Sequence, residues 1–169
     1  MDLYLIRHGQ ALSKEIDPEE GLSPAGRDQI RICAQMLTKV GVKLDAILTS
    51  PKRRALESAI ICAQETGFRE GEIITTELLE PMAKAKEAVA YLGQFAGHPA
   101  VLVAGHLPSL DKITAHLLTD RDELGLFVDN GTLAKIQVTT FGALGGRLQW
   151  YVTPELIRPV MSEAPDDKL

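Results

Sequence analysis

The sequence predicts an α/β protein, a three-layer sandwich in which helices cover both faces of a mostly parallel central sheet. Short apolar segments alternate with longer segments of helical periodicity in the order βαβαβαβα, and two further apolar segments follow. Such alternation is typical of parallel strands joined by crossover helices. The first apolar segment, residues 3–6, is continuously apolar, which indicates a strand buried on both faces.

The individual elements follow from local signals. Ser23 and Pro24 suit an N-cap followed by the first helical position, and Gly41 suits a helix end. Gly142, Gly145 and Gly146 favour a hairpin-like link between the last two strands. We predict strands over residues 3–6, 44–48, 73–76, 100–104, 132–138 and 148–152. We predict helices over about 24–40, 51–65, 83–95 and 108–118.

The chain of 169 residues suits one domain, which we place at residues 1–155. Prolines and acidic residues near the end predict a loosely ordered tail over residues 156–169. The polar residues 10–22 predict a loop.

Composition excludes several classes of function. The net charge is −5, and no cluster of lysine and arginine accompanies aromatic residues, so we expect no nucleic-acid partner. Without an apolar run of about 20 residues or a signal peptide, we expect no membrane association and a cytoplasmic location. Cys33 and Cys62 lie in helical segments and are expected to be buried, reduced thiols. The sequence does not determine the oligomeric state.

Cationic side chains follow three of the predicted strands. Arg7 and His8 follow the first, Arg53 and Arg54 lie just inside the helix after the second, and His106 follows the fourth. The carboxyl ends of parallel strands meet at one edge of a sheet, where ligands bind in open α/β folds. We therefore expect these side chains to converge on one site.

This set of side chains suits a phosphoryl group. Arginine offers a permanently charged fork of donors that matches phosphate oxygens, and helix N-termini add free N–H groups. Two imidazoles can supply a nitrogen nucleophile and a further donor or proton carrier. Of the two neighbouring arginines, Arg53 is interpreted as a solvated helix residue.

Other site types find little support. His98 and His116 are interpreted as structural or surface residues, and neither His8 nor His106 has a second histidine at metal-binding spacing, so we expect no metal. Nucleotide-binding glycine motifs and a serine nucleophile elbow do not occur. A phosphate-binding module without catalysis remains open, because binding and catalysis would use the same arginines.

The chain resembles the histidine phosphatase superfamily, which includes the phosphoglycerate mutases. The resemblance rests on Leu5-Ile6-Arg7-His8-Gly9, Ser50-Pro51-x-x-Arg54-Ala55 and Gly105-His106, in this order. Small size, Leu22-Ser23-x-x-Gly26 and Trp150-x-x-x-Pro154 are most similar to the SixA-type phosphohistidine phosphatases. The resemblance covers nearly the whole chain and implies a phosphoglycerate mutase-like fold.

The resemblance also implies roles. His8 would be the nucleophile and form a transient phosphohistidine, while Arg7, Arg54 and His106 would hold the phosphoryl oxygens, without any cofactor. Larger members use an acidic proton donor, for which Glu80 is a candidate and a simple turn residue the alternative. A further acceptor should orient the His8 ring, but the sequence does not reveal it.

The chain departs from the family pattern at Gln10, where an acidic residue is common in this branch, and at Leu56-Glu57-Ser58. Both departures bear on substrate choice.

The expected substrate is a phosphohistidine on a protein, such as a histidine-phosphorylated signalling domain. Imidazole is a good leaving group, since its conjugate acid has a pKa of about 6.5, so a weak general acid or none suffices. The short segment between Gly67 and Gly97 leaves no room for an elaborate lid. A small phosphomonoester remains the alternative. Five polar residues either border the site or, as we favour, are merely solvated: Asp120, Asp122, Glu123, Asp129 and Asn130.

Overall fold

A six-stranded sheet organises the chain, and the computed structural model describes residues 1–119, 121–127 and 129–162. The strands are β1 (Asp2–Arg7), β2 (Ala46–Thr49), β3 (Ile74–Thr75), β4 (Ala100–Gly105), β5 (Leu133–Val138) and β6 (Gly146–Val152). Their order in the sheet is β3-β2-β4-β1-β5-β6. The first four strands pair in parallel, whereas β5 and β6 are antiparallel additions beside β1.

Helices cover both faces of this sheet. They are α1 (Pro24–Lys39), α2 (Arg53–Thr66), α3 (Ala85–Leu92), α4 (Ser109–Leu118) and α5 (Pro154–Ser162). Because successive residues of a strand face opposite sides, Leu3 and Leu5 of β1 pack in the core with α3 and α4, whereas Tyr4 and Ile6 pack with α1, α2 and α5. The predicted fold class, a three-layer sandwich around a mostly parallel sheet, is confirmed.

Local chemistry explains where the helices begin and end. The Ser23 hydroxyl accepts the Gly26 N–H at 3.0 Å, and Pro24 occupies the first turn, so α1 begins as predicted. Gly67 ends α2 with a positive φ of 72°. The helix predicted over residues 83–95 is shorter, because α3 passes into a 3₁₀ turn at Gly93–Phe95.

The prediction of a loosely ordered tail is wrong for residues 156–162, which form most of α5. Pro159 lies inside this helix, and the proline-based prediction underestimated tertiary packing. Ile157 is only 4% exposed in the core beneath α1, and Arg158 pairs with Asp28 of α1 at 2.7 Å. The free energy gained by burying Ile157 offsets the loss of the backbone hydrogen bond that proline cannot donate. Residues 163–169 lie outside the described part of the chain.

The register aligns the carboxyl ends of the central strands. Arg7 of β1 pairs with Gly105 of β4, and Thr49 of β2 pairs with Ala104. Segments that follow these strands therefore begin at one edge of the sheet. Within the part of the chain that the structure describes, none of the helices is both long enough and apolar enough to cross a bilayer.

Candidate active site

The first part of the site is the end of β1. The backbone N–H of His8 donates to the Gly105 carbonyl at 3.0 Å, which ties His8 to the end of β4. The Arg7 side chain donates from Nη1 to the carbonyl of Phe127 at 2.9 Å. Pairing with β4 thus fixes the backbone of His8, and the Phe127 carbonyl holds the Arg7 side chain.

Two glycines let the chain after β1 pass against α1. A Cβ atom on Gly9 would lie 2.3 Å from the carbonyl oxygen of Gly26, and one on Gly26 would lie 2.1 Å from that of Gln10. Neither distance is sterically possible without backbone movement. This contact gives a physical reason for Gly9 and Gly26 in the motifs that the sequence analysis quoted, and it fixes the position of His8 relative to α1.

The orientation of the His8 ring follows from its hydrogen bonds. Nδ1 lies 2.8 Å from the Gly9 carbonyl oxygen, which can only accept, so Nδ1 carries the proton. Nε2 is then the unprotonated nitrogen, and the Nε–H of Arg54 donates to it at 3.2 Å. The acceptor that the sequence could not reveal is therefore the backbone carbonyl of the next residue.

The neighbouring arginines of α2 have different surroundings. Arg54 lies at His8, with a side chain 17% exposed, and its Nη1 also pairs with Glu20 at 3.4 Å. Arg53 is 44% exposed and pairs with three carboxylates outside the site, those of Asp17, Glu19 and Glu57. Adjacent helical residues point about 100° apart, so only one of the two reaches the edge of the sheet.

Ser58 of α2 joins this helix to the loop after β1. Its hydroxyl accepts the Gly9 N–H at 3.3 Å and donates to the Arg54 carbonyl at 2.7 Å. Glu57 accepts the Leu22 N–H at 2.8 Å. Two residues at which the chain departs from the family pattern therefore shape the loop around the site.

His106 completes the group. It is 1% exposed, and its ring centroid lies 5.0 Å from that of His8, with the rings inclined by 58°. Among the described residues, neither ring nitrogen of His106 has a hydrogen-bond partner. Buried nitrogens in proteins nearly always have one, so the His106 ring has hydrogen-bonding capacity left for a ligand at this edge of the sheet.

Burial and charge keep both imidazoles neutral. Burial, with smaller contributions from Arg54 and Arg7, lowers the pKa of His8 to about 4, despite the opposing hydrogen bond to Gly9. Burial, together with the charges of His8, Arg54, Lys52 and Arg7, lowers the pKa of His106 to about 3. At neutral pH the site thus combines uncharged imidazoles with charged guanidinium groups.

Acidification is expected to destabilise the fold through these two histidines. Between the ordinary histidine pKa of about 6.5 and the lowered values, the unfolded chain binds protons that the folded chain does not, so the free energy of unfolding falls as the pH falls. Replacing His106 with glutamine should reduce the loss between pH 7 and pH 4 by about 3 kcal/mol. Urea unfolding across this range measures the difference.

The control for this experiment is His116→Gln, at a histidine of α4 outside the site. It should retain the pH dependence of the wild-type protein. Equal pH dependence in the wild-type protein and His106→Gln would contradict the expectation.

Glu80 is placed near the site but not in contact with His8. Its carboxylate pairs with Lys52 at 3.7 Å, and the charge of Lys52 contributes to the lowered pKa of His106. His98 packs against Phe95, away from this edge. Among the described residues, no group of three or more histidine, cysteine, aspartate or glutamate side chains could hold a metal ion.

Both thiols are buried and free, as predicted. Burial raises the pKa of Cys33 to about 12 and raises that of Cys62 as well. Neither thiol is a thiolate at neutral pH.

Part of the segment between α4 and β5 lies beside Arg7 at the site. Asp111 accepts the N–H groups of Leu124, Gly125 and Leu126 at 2.7–3.0 Å, and the next residue, Phe127, accepts from Arg7. Burial lowers the pKa of Arg7, and the charge of Asp129 opposes this shift.

The expectation that the acidic residues of this segment are merely solvated agrees with the exposed position of Asp129, although the charge of Asp129 acts on Arg7. It holds for Glu123, which is exposed and pairs with Lys112. Asp120 lies outside the described residues.

Sequence reasoning missed three groups at this site: the Gly9 carbonyl, the Phe127 carbonyl and Glu20. Backbone carbonyls leave no mark in a sequence. Glu20 is one of several acidic residues in a polar loop, and nothing in its local sequence distinguishes it. The four side chains predicted from strand ends and from the resemblance, those of Arg7, His8, Arg54 and His106, do lie together.

This arrangement can bind and attack a phosphoryl group. The unprotonated Nε2 of His8 has a lone pair at neutral pH. The guanidinium of Arg54 beside it can donate hydrogen bonds to phosphate oxygens. Arg7 and His106 add a second cation and two ring nitrogens within the same edge of the sheet.

A family model described as the histidine phosphatase superfamily (branch 1) matches residues 3–83. An uncharacterised protein of Picosynechococcus sp. is 31% identical over 118 residues, which are 66% of this chain and 70% of that protein. The chain belongs to the histidine phosphatase superfamily, and its class of activity is that of a phosphatase.

Within this family, the fold is similar to that of the protein histidine phosphatase SixA, solved with tungstate. The two structures give a TM-score of 0.81 at 25% identity, over 91% of this chain and 97% of SixA. A mycobacterial glucosyl-3-phosphoglycerate phosphatase solved with VO3 has the same fold, with a TM-score of 0.70 at 16% identity, over 90% and 99% of the two chains.

Proposed function

We propose that the protein hydrolyses phosphohistidine on a protein substrate through a covalent intermediate on His8. When substrate binds, its phosphoryl oxygens accept the Arg54 N–H groups and free the lone pair of His8 Nε2 from its hydrogen bond. The lone pair then attacks phosphorus, and the bond from phosphorus to the leaving nitrogen breaks. Water then attacks phosphorus, the bond to Nε2 breaks, and inorganic phosphate leaves with His8 restored. The single observation that carries the proposal is the unprotonated Nε2 held against the Arg54 guanidinium at 3.2 Å.

Arg54, Arg7 and His106 act on the oxygens of the transferred group. Two guanidinium groups balance charge on the equatorial oxygens, and a ring nitrogen of His106 donates to one of them once a bound anion favours its protonation. The lowered pKa of His106 leaves the ring neutral in the free protein, and the neutral ring still has one N–H to donate. A dianion beside the ring raises this pKa and favours protonation of the second nitrogen.

The substrate class that the site can cleave depends on which leaving group it can release. Departing imidazole requires little protonation, whereas a departing alkoxide requires a general acid. Glu80 remains the candidate acid, and it is held by Lys52 at 3.7 Å rather than by His8. A candidate acid that pairs with Lys52 and does not contact His8 supports phosphohistidine as the substrate.

The second candidate is a small phosphomonoester cleaved by the same steps. The Lys52–Glu80 pair favours it, because Lys52 influences His106 and can bring the Glu80 carboxyl to the border of the site. Turnover of esters would then depend on Glu80, and turnover of phosphohistidine would not.

Trapping of the intermediate tests the mechanism. Incubation with a protein phosphorylated on histidine with phosphorus-32, followed by alkaline quenching, should leave label on His8 that is stable in alkali and lost in acid. Mass spectrometry of the quenched protein locates the phosphoryl group. Tight binding of inorganic phosphate without label or hydrolysis would instead support a binding module, and selective turnover of sugar phosphates would support the second candidate.

A further inference from the structure

Glu20 has an unusual backbone conformation. Its φ is +53°, in the left-handed region that residues with a side chain seldom adopt. The surrounding loop maintains it: Asp17 accepts the Gly21 N–H at 2.9 Å, and Glu57 accepts the Leu22 N–H at 2.8 Å. Strain that neighbouring contacts impose on one residue is often associated with a functional role.

The loop is also held from outside. Arg53 pairs with Asp17 at 3.6 Å, and Asp17 also accepts the Gly21 N–H, so α2 helps to fix the backbone beside Glu20. The backbone on either side of Glu20 is therefore positioned by contacts outside the site, and it carries the Glu20 side chain toward Arg54.

The Glu20 carboxylate pairs with Arg54, the same cation that contacts His8. Its Oε2 is 3.4 Å from Nη1 of Arg54, and Nε of the same guanidinium is 3.2 Å from Nε2 of His8. A phosphoryl group transferred to Nε2 would therefore lie near a fixed negative charge. The Glu20 side chain is 34% exposed, so solvent weakens this charge but does not remove its effect.

A charge at this place discriminates between leaving groups. All substrates share the phosphoryl group, so its repulsion by Glu20 is the same for each of them. The leaving group differs, and the carboxylate that pairs with Arg54 at this site acts on it through space, disfavouring an anionic group and favouring a neutral or cationic one. Imidazole departs as a neutral or protonated ring. The sugar acid that departs from a sugar-acid phosphate carries a negative carboxylate.

We propose that Glu20 is a specificity-determining residue that selects substrates with a neutral or cationic leaving group against those with an anionic one. The inference rests on the proposed function, since it requires phosphoryl transfer at His8, and it specifies the substrate class of that function. Glu20 acts through the charge that it places beside Arg54 and takes no part in the bond changes.

Three phosphomonoesters of similar size test the inference: phosphocholine with a cationic leaving group, glycerol 3-phosphate with a neutral one and 3-phosphoglycerate with an anionic one. In Glu20→Gln, the kcat/KM for the anionic ester relative to the neutral ester should rise about tenfold, and that for the cationic ester should fall about threefold. A mere loss of structure would lower all three values together.

Glu19→Gln is the matched control. It makes the same change in net charge one residue away, on a side chain that is 71% exposed and pairs with Arg53. We expect its ratios to stay within about twofold of wild type. Unchanged ratios in Glu20→Gln, or equal shifts in both variants, would overturn the inference.

Binding separates this inference from the proposed function. Calorimetry with the three esters in a His8→Ala background should show the same order of preference, and Glu20→Gln in that background should reduce it. Charge preference in binding, without turnover of a histidine-phosphorylated protein by wild type, would refute the proposed function alone. Turnover without charge preference would refute only the role of Glu20, as would the absence of any preference in both the kinetic and the binding measurements.

Discussion

Replacing His8 with alanine is expected to lower kcat/KM by at least about 10⁴-fold. The substitution removes Nε2, the one unprotonated ring nitrogen that a guanidinium holds in the site, and with it the covalent route. Arg7, Arg54 and His106 would still bind phosphate, so KM or the affinity for inorganic phosphate should change much less than kcat. Steady-state hydrolysis of a histidine-phosphorylated protein, with calorimetry for phosphate binding, measures both quantities.

The matched control for this substitution is His116→Ala, which removes an imidazole of α4 outside the site. We expect it to retain at least about half of the wild-type activity. If His8→Ala folded normally and kept more than about one per cent of the wild-type kcat, the covalent mechanism would have to be abandoned.

Substituting lysine for Arg54 is expected to lower kcat/KM by about 10³-fold, although the charge is retained. Nε of Arg54 donates to His8 at 3.2 Å while Nη1 extends toward Glu20 at 3.4 Å, and a single ammonium cannot occupy both places. The loss should appear mainly in kcat, because the planar guanidinium positions the equatorial oxygens of the transferred group in the transition state. Single-turnover measurements separate this step from binding.

Arg53→Lys provides the comparison at the adjacent position. Arg53 pairs with carboxylates of the loop and of α2 and does not reach His8, so a lysine there should cost less than about threefold in kcat/KM. Equal losses in the two variants would show that the general charge of this helix end matters and that the contact with His8 does not.

The sheet edge could be predicted because three strands end in chemically distinctive residues. Continuous apolar segments located β1 and β4, and the parallel arrangement then placed the following Arg7, His8 and His106 together. The local sequence pattern predicted the elements less well where tertiary packing determines whether a helix forms. Pro159 signalled the end of ordered structure, yet burial of Ile157 against α1 sustains a helix through Ser162.

Spacing within the chain could not choose between Arg53 and Arg54. Both lie in the first turn of α2, and their helical phase relative to the sheet depends on packing that a single sequence does not state. The family resemblance made that choice, and the structure agrees with it. Glu20 had no comparable indication, because its contact with Arg54 spans 34 residues and depends on a left-handed backbone at one loop position.

Asp111 has a consequence for interpreting large-scale mutational data. Its buried carboxylate accepts three backbone N–H groups immediately before Phe127, whose carbonyl receives the Arg7 guanidinium. In an activity screen, a substitution of Asp111 would lower activity as the substitution of a catalytic residue does. In a screen for cellular abundance, the same substitution would lower the amount of protein, as an ordinary folding defect does. Comparing the two screens residue by residue would separate groups that meet the substrate from those that only support them.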